Sequence, residues 1–221
     1  MDGYAFTLAG ADLVARGSGA LYWPAQSLLC VSDLHLGKAE RMARRGMGQM
    51  PPYETRDTLT RLDDEIEATR ATTIICLGDS FDDTAAAEAL SLDDKLWISR
   101  MQAGRRWVWI EGNHDPGPVD LGGAHLAALP LAPLTFAHEA KAANAGEVSG
   151  HYHPKATLAV KGRSVTRPCF LLDSDRLIMP AFGTYTGGLQ SHAEVLSTLM
   201  RPEALAILTG PTPSAMPMPR T

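Results

Sequence analysis

The chain has 221 residues, of which 45% are hydrophobic and 20% are charged, so it can bury a sizeable core without disulfide staples. Its net charge of −5 argues against a protein that coats nucleic acid through a generally basic surface. A local basic patch is still compatible with this charge.

The three cysteines do not suggest a disulfide framework, because their number is odd and no secretion signal accompanies them. Cys30 and Cys76 lie in the apolar runs LLCVSD and IICLGD, and we expect them to be buried core residues. The first residues carry Asp2 and Asp12 and lack a basic start followed by an apolar run, unlike a signal peptide. No stretch reaches the roughly 18 apolar residues of a membrane span. We therefore expect a cytoplasmic protein with no membrane partner.

Apolar runs of strand length recur along the chain, and Gly, Pro, Asn or Asp follows most of them. In chain order, the predicted strands are Ala20–Trp23, Ser27–Ser32, Thr73–Leu77, Trp107–Glu111, Leu134–Ala137, Ala156–Val160, Phe170–Leu172 and Leu177–Met179. Apolar residues at three- and four-residue spacing indicate helices. The predicted helices are Tyr53–Arg70, Leu92–Met101 and Ala193–Met200. In the second of these, Leu92, Leu96 and Met101 form the predicted buried face.

The element order is β-α-β-α-β in the first half of the chain and mostly β in the second half. Continuous apolar strands are typical of sheets that are covered on both faces. The pattern predicts an α/β fold in which two sheets pack face to face with helices outside. We expect one domain over residues 1–209. The Pro-rich segment 210–221 has no periodic pattern, and we expect it to be a disordered tail.

Polar residues collect in the loops that directly follow five apolar runs. These loops carry Asp33 and His35, Asp79 and Asp82, Asn113 and His114, His138, and His151 with His153. In open α/β sheets, ligands bind outside the carboxyl ends of the strands. Five of the seven histidines fall in these loops, so the sequence predicts that they meet at one edge.

The types of side chain constrain the kind of site. Carboxylate, imidazole and amide oxygen donors without thiolate suit Mn²⁺, Fe or Zn²⁺, and they suit a structural zinc finger poorly. About seven donors are too many for one cation. They suit two cations that share a bridging carboxylate.

Five motifs occur in a fixed order: D-x-H from Asp33, G-D-x-x-D from Gly78, G-N-H-D from Gly112, the lone His138, and G-H-x-H from Gly150. Together they resemble the signature of the calcineurin-like metallophosphoesterase superfamily. The longer segments SDLHLGKAERMARRG, GDSFDD, GHYHPKATL and FGTYTGG resemble the bacterial ligase-associated DNA damage response endonucleases, the PdeM subfamily. The resemblance implies an αββα fold with two mixed sheets and a metal-dependent phosphoric ester hydrolase.

The resemblance also implies which residues hold the metals. The implied ligands are Asp33, His35 and His153 for the first ion, Asn113, His138 and His151 for the second, and Asp79 for both. Mn²⁺ is the expected metal, with Fe, Zn²⁺ or Mg²⁺ as alternatives. A hydroxide that bridges the metals would attack phosphorus.

The resemblance also implies catalytic roles for two further residues. His114 would protonate the leaving alkoxide as a general acid. Asp82 would pair with the other ring nitrogen of His114 and hold its tautomer. One position departs from the family pattern, because Glu139 follows His138 where many members have Gly. His125 is therefore a rival ligand, although no predicted strand precedes it.

Several residues near the motifs could contact substrate or serve the fold. The basic run Lys38, Arg41, Arg44 and Arg45 follows the first ligand loop, either as a solvated helix face or as a phosphate-contacting patch. Tyr185, in FGTYTGG, lies either in a plain turn or in a wall of the active site, where it could stack on a base. Asp83 and Asp115 could support the site, cap a helix or belong to a turn.

The leading hypothesis is a DNA nuclease or phosphodiesterase linked to DNA repair, with a DNA ligase and a helicase as the partners that the subfamily resemblance implies. The second is a small-molecule phosphoesterase, such as a nucleotide pyrophosphatase of the lipid A pathway. A lipid substrate would need an apolar helical cap, and the segment between Asp115 and His138 is short and rich in Gly, Ala and Pro. The third is a non-catalytic scaffold of the same fold, like the retromer subunit, which has lost ligands. Every implied ligand is present in this chain.

Overall fold

The structure is a computed structural model that describes residues 3–47, 51, 53–141, 145–160 and 162–220. Its first sheet has seven strands, whose order follows the chain. These strands are β1 Gly3–Leu8, β2 Ala11–Arg16, β3 Leu21–Trp23, β4 Leu28–Val31, β5 Thr73–Leu77, β6 Arg106–Ile110 and β7 Ala124–Leu126. Strands β1 to β4 pair antiparallel, and β4 to β7 pair parallel. The parallel strands therefore all end at the same edge.

The second sheet is also mixed. Its strands are β8 Ala128–Leu131, β9 Leu134–Ala137, β10 Glu147–Ser149, β11 Lys155–Val160, β12 Arg163–Leu172, β13 Arg176–Ile178, β14 Leu205–Leu208 and β15 Ser214–Pro217. Their order is β15-β14-β12-β13-β10-β9-β8, with β11 paired to β12. Strands β9, β10 and β13 are parallel to one another, so β9 and β10 end at one edge.

Five α-helices accompany the sheets in the described part of the chain. They are α1 Lys38–Arg44, α2 Glu54–Thr69, α3 Thr84–Ala89, α4 Leu92–Gln102 and α5 Glu194–Leu199. The apolar spacing predicted α2, α4 and α5 to within one residue at each end. It did not predict α1 and α3, because helices of seven and six residues are too short to show a clear period. Asp83 caps α3, since its side chain accepts a hydrogen bond from the backbone N–H of Ala86.

The core lies between the sheets and under the helices. Ile75 of β5 and Phe170 of β12 belong to one buried cluster, which joins the facing sides of the two sheets. Leu62 of α2 packs on the outer side of the first sheet, and Leu196 of α5 packs on the outer side of the second. Each such side chain contributes about 1.5–3 kcal/mol on burial. This arrangement confirms the predicted sandwich of two mixed sheets flanked by helices.

Two predictions about the fold are wrong. Residues 214–217 of the predicted disordered tail form β15, which pairs antiparallel with β14. The prolines are tolerated because β15 is an edge strand, whose outward N–H groups need no partner in the sheet. In α4, Leu92 and Leu96 are 71% and 59% exposed, whereas Ile98 and Met101 are buried. The helix packs through Ile98 and Met101. The predicted helical period is therefore correct, but two of the three residues predicted for its buried face are exposed.

Within the residues that the structure describes, no helix is both long and apolar enough to cross a membrane.

Candidate metal centre

Five strand ends deliver the polar loops that the sequence predicts. Strands β4, β5 and β6 of the first sheet lead into residues 33–35, 79–82 and 112–115, and β9 and β10 of the second lead into residues 138 and 150–153. The loops meet at one edge of the sandwich. The backbone carbonyl of His138 accepts a hydrogen bond from Gly150 N–H at 2.9 Å, and that of Gly78 accepts one from Asp33 N–H at 3.2 Å.

The loops approach one another so closely that glycine is required at some positions. A Cβ atom on Gly150 would lie 1.9 Å from Ser32 Oγ, and one on Gly112 would lie 2.2 Å from Asp79 N. Left-handed φ angles, which are costly for residues with a side chain, cluster in the same loops. They occur at Asp33, His35, Asp79, His151 and His153. Such strain persists only where the surrounding structure enforces it, which is typical of functional sites.

The first donor cluster consists of Asp33, His35 and His153, whose donor atoms lie within 4.8 Å of one another. Asp33 Oδ1 is 3.1 Å from His153 Nε2, and His35 Nε2 is 3.5 Å from the same nitrogen. Asp33 Oδ2 accepts hydrogen bonds from Ser32 Oγ at 2.5 Å and from His151 N–H at 3.0 Å. These bonds fix the carboxylate and leave Oδ1 directed towards the imidazoles.

Asp82 contacts His35, and the prediction that it pairs with His114 is wrong. His35 Nδ1 donates to Asp82 Oδ1 at 3.0 Å, and Arg41 Nη1 donates to Asp82 Oδ2 at 2.7 Å. Burial raises the pKa of Asp82, but the hydrogen bonds from His35 and Arg41 outweigh burial and hold its pKa well below the usual range. Because the proton of His35 lies on Nδ1, its Nε2 lone pair faces the first cluster.

His114 is held by the backbone in place of a carboxylate. Its Nδ1 donates to the carbonyl oxygen of Asp82 at 2.9 Å, and its own N–H donates to Asp79 Oδ1 at 2.8 Å. The ring packs edge-on against that of His35, with centroids 5.2 Å apart. Its Nε2 has no hydrogen-bond partner among the residues described, so this nitrogen is available to a ligand.

The second donor cluster consists of Asp79, His138 and His151, with Asn113 beside them. His138 Nε2 lies 3.0 Å from Asn113 Oδ1, 3.2 Å from His151 Nδ1 and 3.4 Å from Asp79 Oδ2. The other ring nitrogen of His138 donates to the carbonyl of Leu77 at 3.2 Å. The rival His125 lies in β7 and stacks on Trp109, 6.3 Å between ring centroids. The structure therefore brings His138 to this cluster.

Asp79 and His138 shift each other's titration. Burial raises the pKa of Asp79, but the hydrogen bond and charge of His138 outweigh burial and lower that pKa to about 2. Burial lowers the pKa of His138, but Asp79 and Asp33 outweigh it and raise that pKa to about 9. The carboxylates thus favour a positive charge at this position, which a proton or a metal ion can supply.

The chemistry of the donors fits divalent cations. The hydrogen bonds to Asp82 and Leu77 place the ring protons of His35 and His138 on Nδ1, so that both Nε2 lone pairs point into the clusters. Carboxylate, amide and imidazole acceptors then face one another at 3.0–3.5 Å. Acceptors this close repel unless a proton or a cation lies between them. The set contains only oxygen and nitrogen donors, which suits Mn²⁺, Fe or Zn²⁺.

Comparisons with known proteins agree with this geometry. A family profile described as calcineurin-like phosphoesterase matches residues 27–175, more than half of the chain. The chain belongs to this family. The crystal structure of the Pseudomonas putida nuclease MPE is similar to it, with a TM-score of 0.76 and 28% identity over 96% of this chain and 99% of that chain. No curated protein matches the chain significantly.

Membership makes the chain a metal-dependent phosphoesterase. The family uses a dinuclear metal centre, and the two donor clusters could hold the ions. A third group, His35, Asp82 and His114, also brings its donor atoms within 4.8 Å of one another, and it shares His35 with the first cluster.

Asp115 supports the centre of this phosphoesterase in a way that the sequence left open. Its Oδ2 accepts hydrogen bonds from the backbone N–H groups of Ser80 and Phe81 at 2.8 and 3.2 Å. Its Oδ1 accepts one from Gly112 N–H at 3.1 Å. Burial, assisted by the charge of Asp79, raises the pKa of Asp115 to about 6. The carboxylate of Asp115 thus links the loops after β5 and β6. In the sequence, the only signal for this role was the place of Asp115 at the end of the G-N-H-D motif.

The basic run is less available to substrate than the sequence suggests. Arg44 Nη2 pairs with Asp83 at 2.8 Å, and Arg45 lies 3.8 Å from the same residue. Arg41 is engaged by Asp82 and Asp83. Lys38 forms no ion pair among the residues that the structure describes. The acids that neutralise the arginines lie about 40 residues away in sequence, so local charge could not reveal them.

The loop that carries Tyr185 lies against the first donor cluster. Gly183 N–H donates to the carbonyl of Asp33 at 3.1 Å, and a Cβ atom on Gly188 would lie 2.1 Å from the carbonyl oxygen of His153. The loop that contains Tyr185 therefore lies beside the centre. Its ring is 5.5 Å from that of Tyr53, which is 54% exposed. The sequence analysis missed Tyr53, because helical spacing places it simply at the start of α2.

The contact between Asp82 and His35 leads to a prediction for Asp82→Asn. We expect its affinity for the metal of the first cluster to fall by about 10–100-fold, since a neutral amide supports the imidazole less well than a carboxylate. The measurement is a metal titration followed by calorimetry. Asp83→Asn is the matched control, because Asn still caps α3. Unchanged metal affinity together with lost turnover would instead indicate that Asp82 acts on His114.

Proposed function

We propose that this phosphoesterase hydrolyses phosphodiester bonds of DNA. One observation carries the proposal: two clusters of metal-binding side chains meet at one edge of the sandwich, with the free Nε2 of His114 beside them. A centre with two positive charges and a proton donor suits an ester that carries a negative charge and an alkoxide leaving group.

Seven residues would hold the two ions. They are Asp33, His35 and His153 for the first, Asn113, His138 and His151 for the second, and Asp79 between them. Bound divalent cations supply a water molecule of lowered pKa and positive charge for the phosphoryl oxygens. We propose Mn²⁺ as the native metal, because the centre mixes carboxylate, amide and imidazole donors.

His114 would act as the general acid. Its Nδ1–H is fixed by the carbonyl of Asp82, so a second proton must reside on Nε2. In the protonated form this nitrogen can donate to the departing oxygen, which otherwise leaves as a strongly basic alkoxide. The carbonyl orients the ring and stabilises the imidazolium without adding a full negative charge.

Three observations favour DNA over a small ester. The similar protein of P. putida is a nuclease. The rings of Tyr53 and Tyr185 lie 5.5 Å apart, and Tyr185 belongs to the loop that lies against the first cluster, so an unpaired base could stack there. Lys38 offers a cation that forms no ion pair with a described residue, next to the loop of Asp33 and His35. A link to DNA repair, a ligase and helicase as partners, and a cytoplasmic location stay predictions from the sequence.

A comparison of three substrates tests the proposal. Purified protein with Mn²⁺ is incubated with bis-p-nitrophenyl phosphate, p-nitrophenyl phosphate and end-labelled single-stranded DNA. We expect cleavage of the diester and of the DNA, and the fragment lengths separate internal from terminal cutting. Cleavage of the monoester alone would reject DNA as the substrate and favour a small-molecule phosphoesterase. Bound metal without turnover of any substrate would favour a narrow specificity or a scaffold.

A further inference from the structure

Strand β12 is longer than the sheet to which it belongs. Its last four residues, Cys169–Leu172, pair with β14, whereas residues 163–168 form their ladder only with β11. Residues 163–168 are all exposed. Strand β11 and this part of β12 therefore form a two-stranded arm, residues 155–160 and 163–168, that leaves the sheet. We call it the basic arm.

The basic arm leaves the sheet at the edge that carries the metal centre. Strand β13 runs parallel to β10, which ends at Ser149 directly before the loop of His151 and His153. Strand β12 runs antiparallel to β13, so the residues that precede Cys169 extend beyond that same edge. The arm starts at Lys155, two residues after His153, which is at most about 7 Å of extended chain.

The charge of the arm differs from that of the rest of the chain. Residues 154–172 contain four basic residues and no acidic one, although the chain has 25 acidic and 20 basic residues. The four are Lys155, Lys161, Arg163 and Arg167, of which Lys161 lies outside the described residues. Arg163 and Arg167 are exposed, and their positions four residues apart place them on one face of β12. Neither forms an ion pair with any residue that the structure describes.

We propose that the basic arm binds the phosphate backbone of DNA next to the phosphate that is cleaved. The inference rests on the proposed function and extends it by a second contact surface. Four residues of strand span about 13 Å, whereas phosphates of one strand of duplex DNA recur every 3.4 Å along its axis, so Arg163 and Arg167 reach different phosphates. A guanidinium can bind a phosphate through two parallel hydrogen bonds.

The rival explanation is that the cations only protect an exposed hairpin from pairing with other chains. A variant that loses these charges and keeps its fold distinguishes DNA binding from protection. The test variant is Arg163→Gln/Arg167→Gln. The control is Arg70→Gln/Arg106→Gln, which removes two exposed arginines at the opposite edge of the first sheet, where β5 and β6 begin. Both pairs are combined with His114→Ala, in which the metal ligands are intact and cleavage is slow.

Binding of labelled single-stranded DNA is measured by fluorescence anisotropy with Mn²⁺ between about 50 and 200 mM salt. For single-stranded DNA, each phosphate contact contributes about −0.7 to the slope of log K against log salt. The slope of the arm variant should therefore be shallower than that of the parent by about 1.4, and the slope of the control should be unchanged. Over this fourfold range, the affinity of the parent then falls about sevenfold more than that of the arm variant. Arg163→Lys/Arg167→Lys should restore the slope.

Turnover of bis-p-nitrophenyl phosphate in the His114 background reports the centre alone, since this small diester does not extend to the arm. An arm variant that loses this turnover would show that the arm shapes the centre, and the proposal would be rejected. If the arm variant has the same salt slope as the parent, the arm does not bind DNA phosphates, whether or not the variant aggregates. Protection of the hairpin from pairing with other chains would then be the only remaining role of its cations. If the protein with its native His114 cleaves no DNA, the proposed function itself fails, whatever the salt slopes are.

Discussion

Replacing Asp79 by asparagine should abolish phosphodiester hydrolysis, with a loss of about 10³-fold or more in kcat for bis-p-nitrophenyl phosphate. Asp79 Oδ2 is 3.4 Å from His138 Nε2, and Asp79 Oδ1 accepts the N–H of His114. An amide has one oxygen and no charge, so it cannot bridge two cations as a carboxylate does.

The fold should tolerate this substitution. Asp79 has a φ of 45°, and asparagine is among the residues that adopt this left-handed conformation most readily. The amide oxygen can still accept the hydrogen bond from His114 N–H. The measurements are kcat, the number of bound metal ions by elemental analysis, and circular dichroism. Asp93→Asn is the control, because its carboxylate is 83% exposed and lies outside the centre. An Asp79→Asn variant with two bound ions and full turnover would contradict the role of Asp79.

Replacing His114 by alanine should also slow hydrolysis strongly, and the size of this loss should depend on the leaving group. Proton transfer from a general acid contributes about 10²–10⁴-fold, and it is needed most when the leaving oxygen is a basic alkoxide. Cleavage of DNA should therefore fall within this range, whereas hydrolysis of bis-p-nitrophenyl phosphate, whose leaving phenolate is weakly basic, should fall much less.

The number of bound metal ions shows whether His114 is a general acid or a metal ligand. The imidazole of His114 is orientated by a backbone carbonyl and contributes no donor atom to the Asp33 or Asp79 clusters. Bound metal should therefore equal that of the parent. Loss of an ion, or an equal loss of rate for both leaving groups, would show that His114 supports the centre and donates no proton. His192→Ala provides a control at a histidine outside both clusters.

Much of the centre could be predicted because its signal is local. Each functional loop follows an apolar strand, and the change from apolar to polar residues marks the strand end, as at Leu77 and Asp79. Parallel strands then place these ends at one edge. The same logic located His138 directly after β9, despite Glu139.

The parts that sequence reasoning got wrong depend on contacts between distant segments. The spacing of G-D-x-x-D brings Asp82 near two imidazoles, and only the path of the backbone decides that the side chain meets His35 and the carbonyl meets His114. Asp82 and Asp83 also neutralise much of the basic run in α1, from about 40 residues away. The ordering of the Pro-rich tail similarly depends on an edge that β14 offers to β15.

The most direct test of the account is a crystal structure of the protein grown with Mn²⁺, with anomalous diffraction recorded at the manganese absorption edge. We predict two anomalous peaks, one among Asp33, His35 and His153 and one among Asn113, His138 and His151, with Asp79 contacting both. His114 should contact neither peak. A single peak, or peaks away from these residues, would contradict a dinuclear centre at this edge of the sandwich.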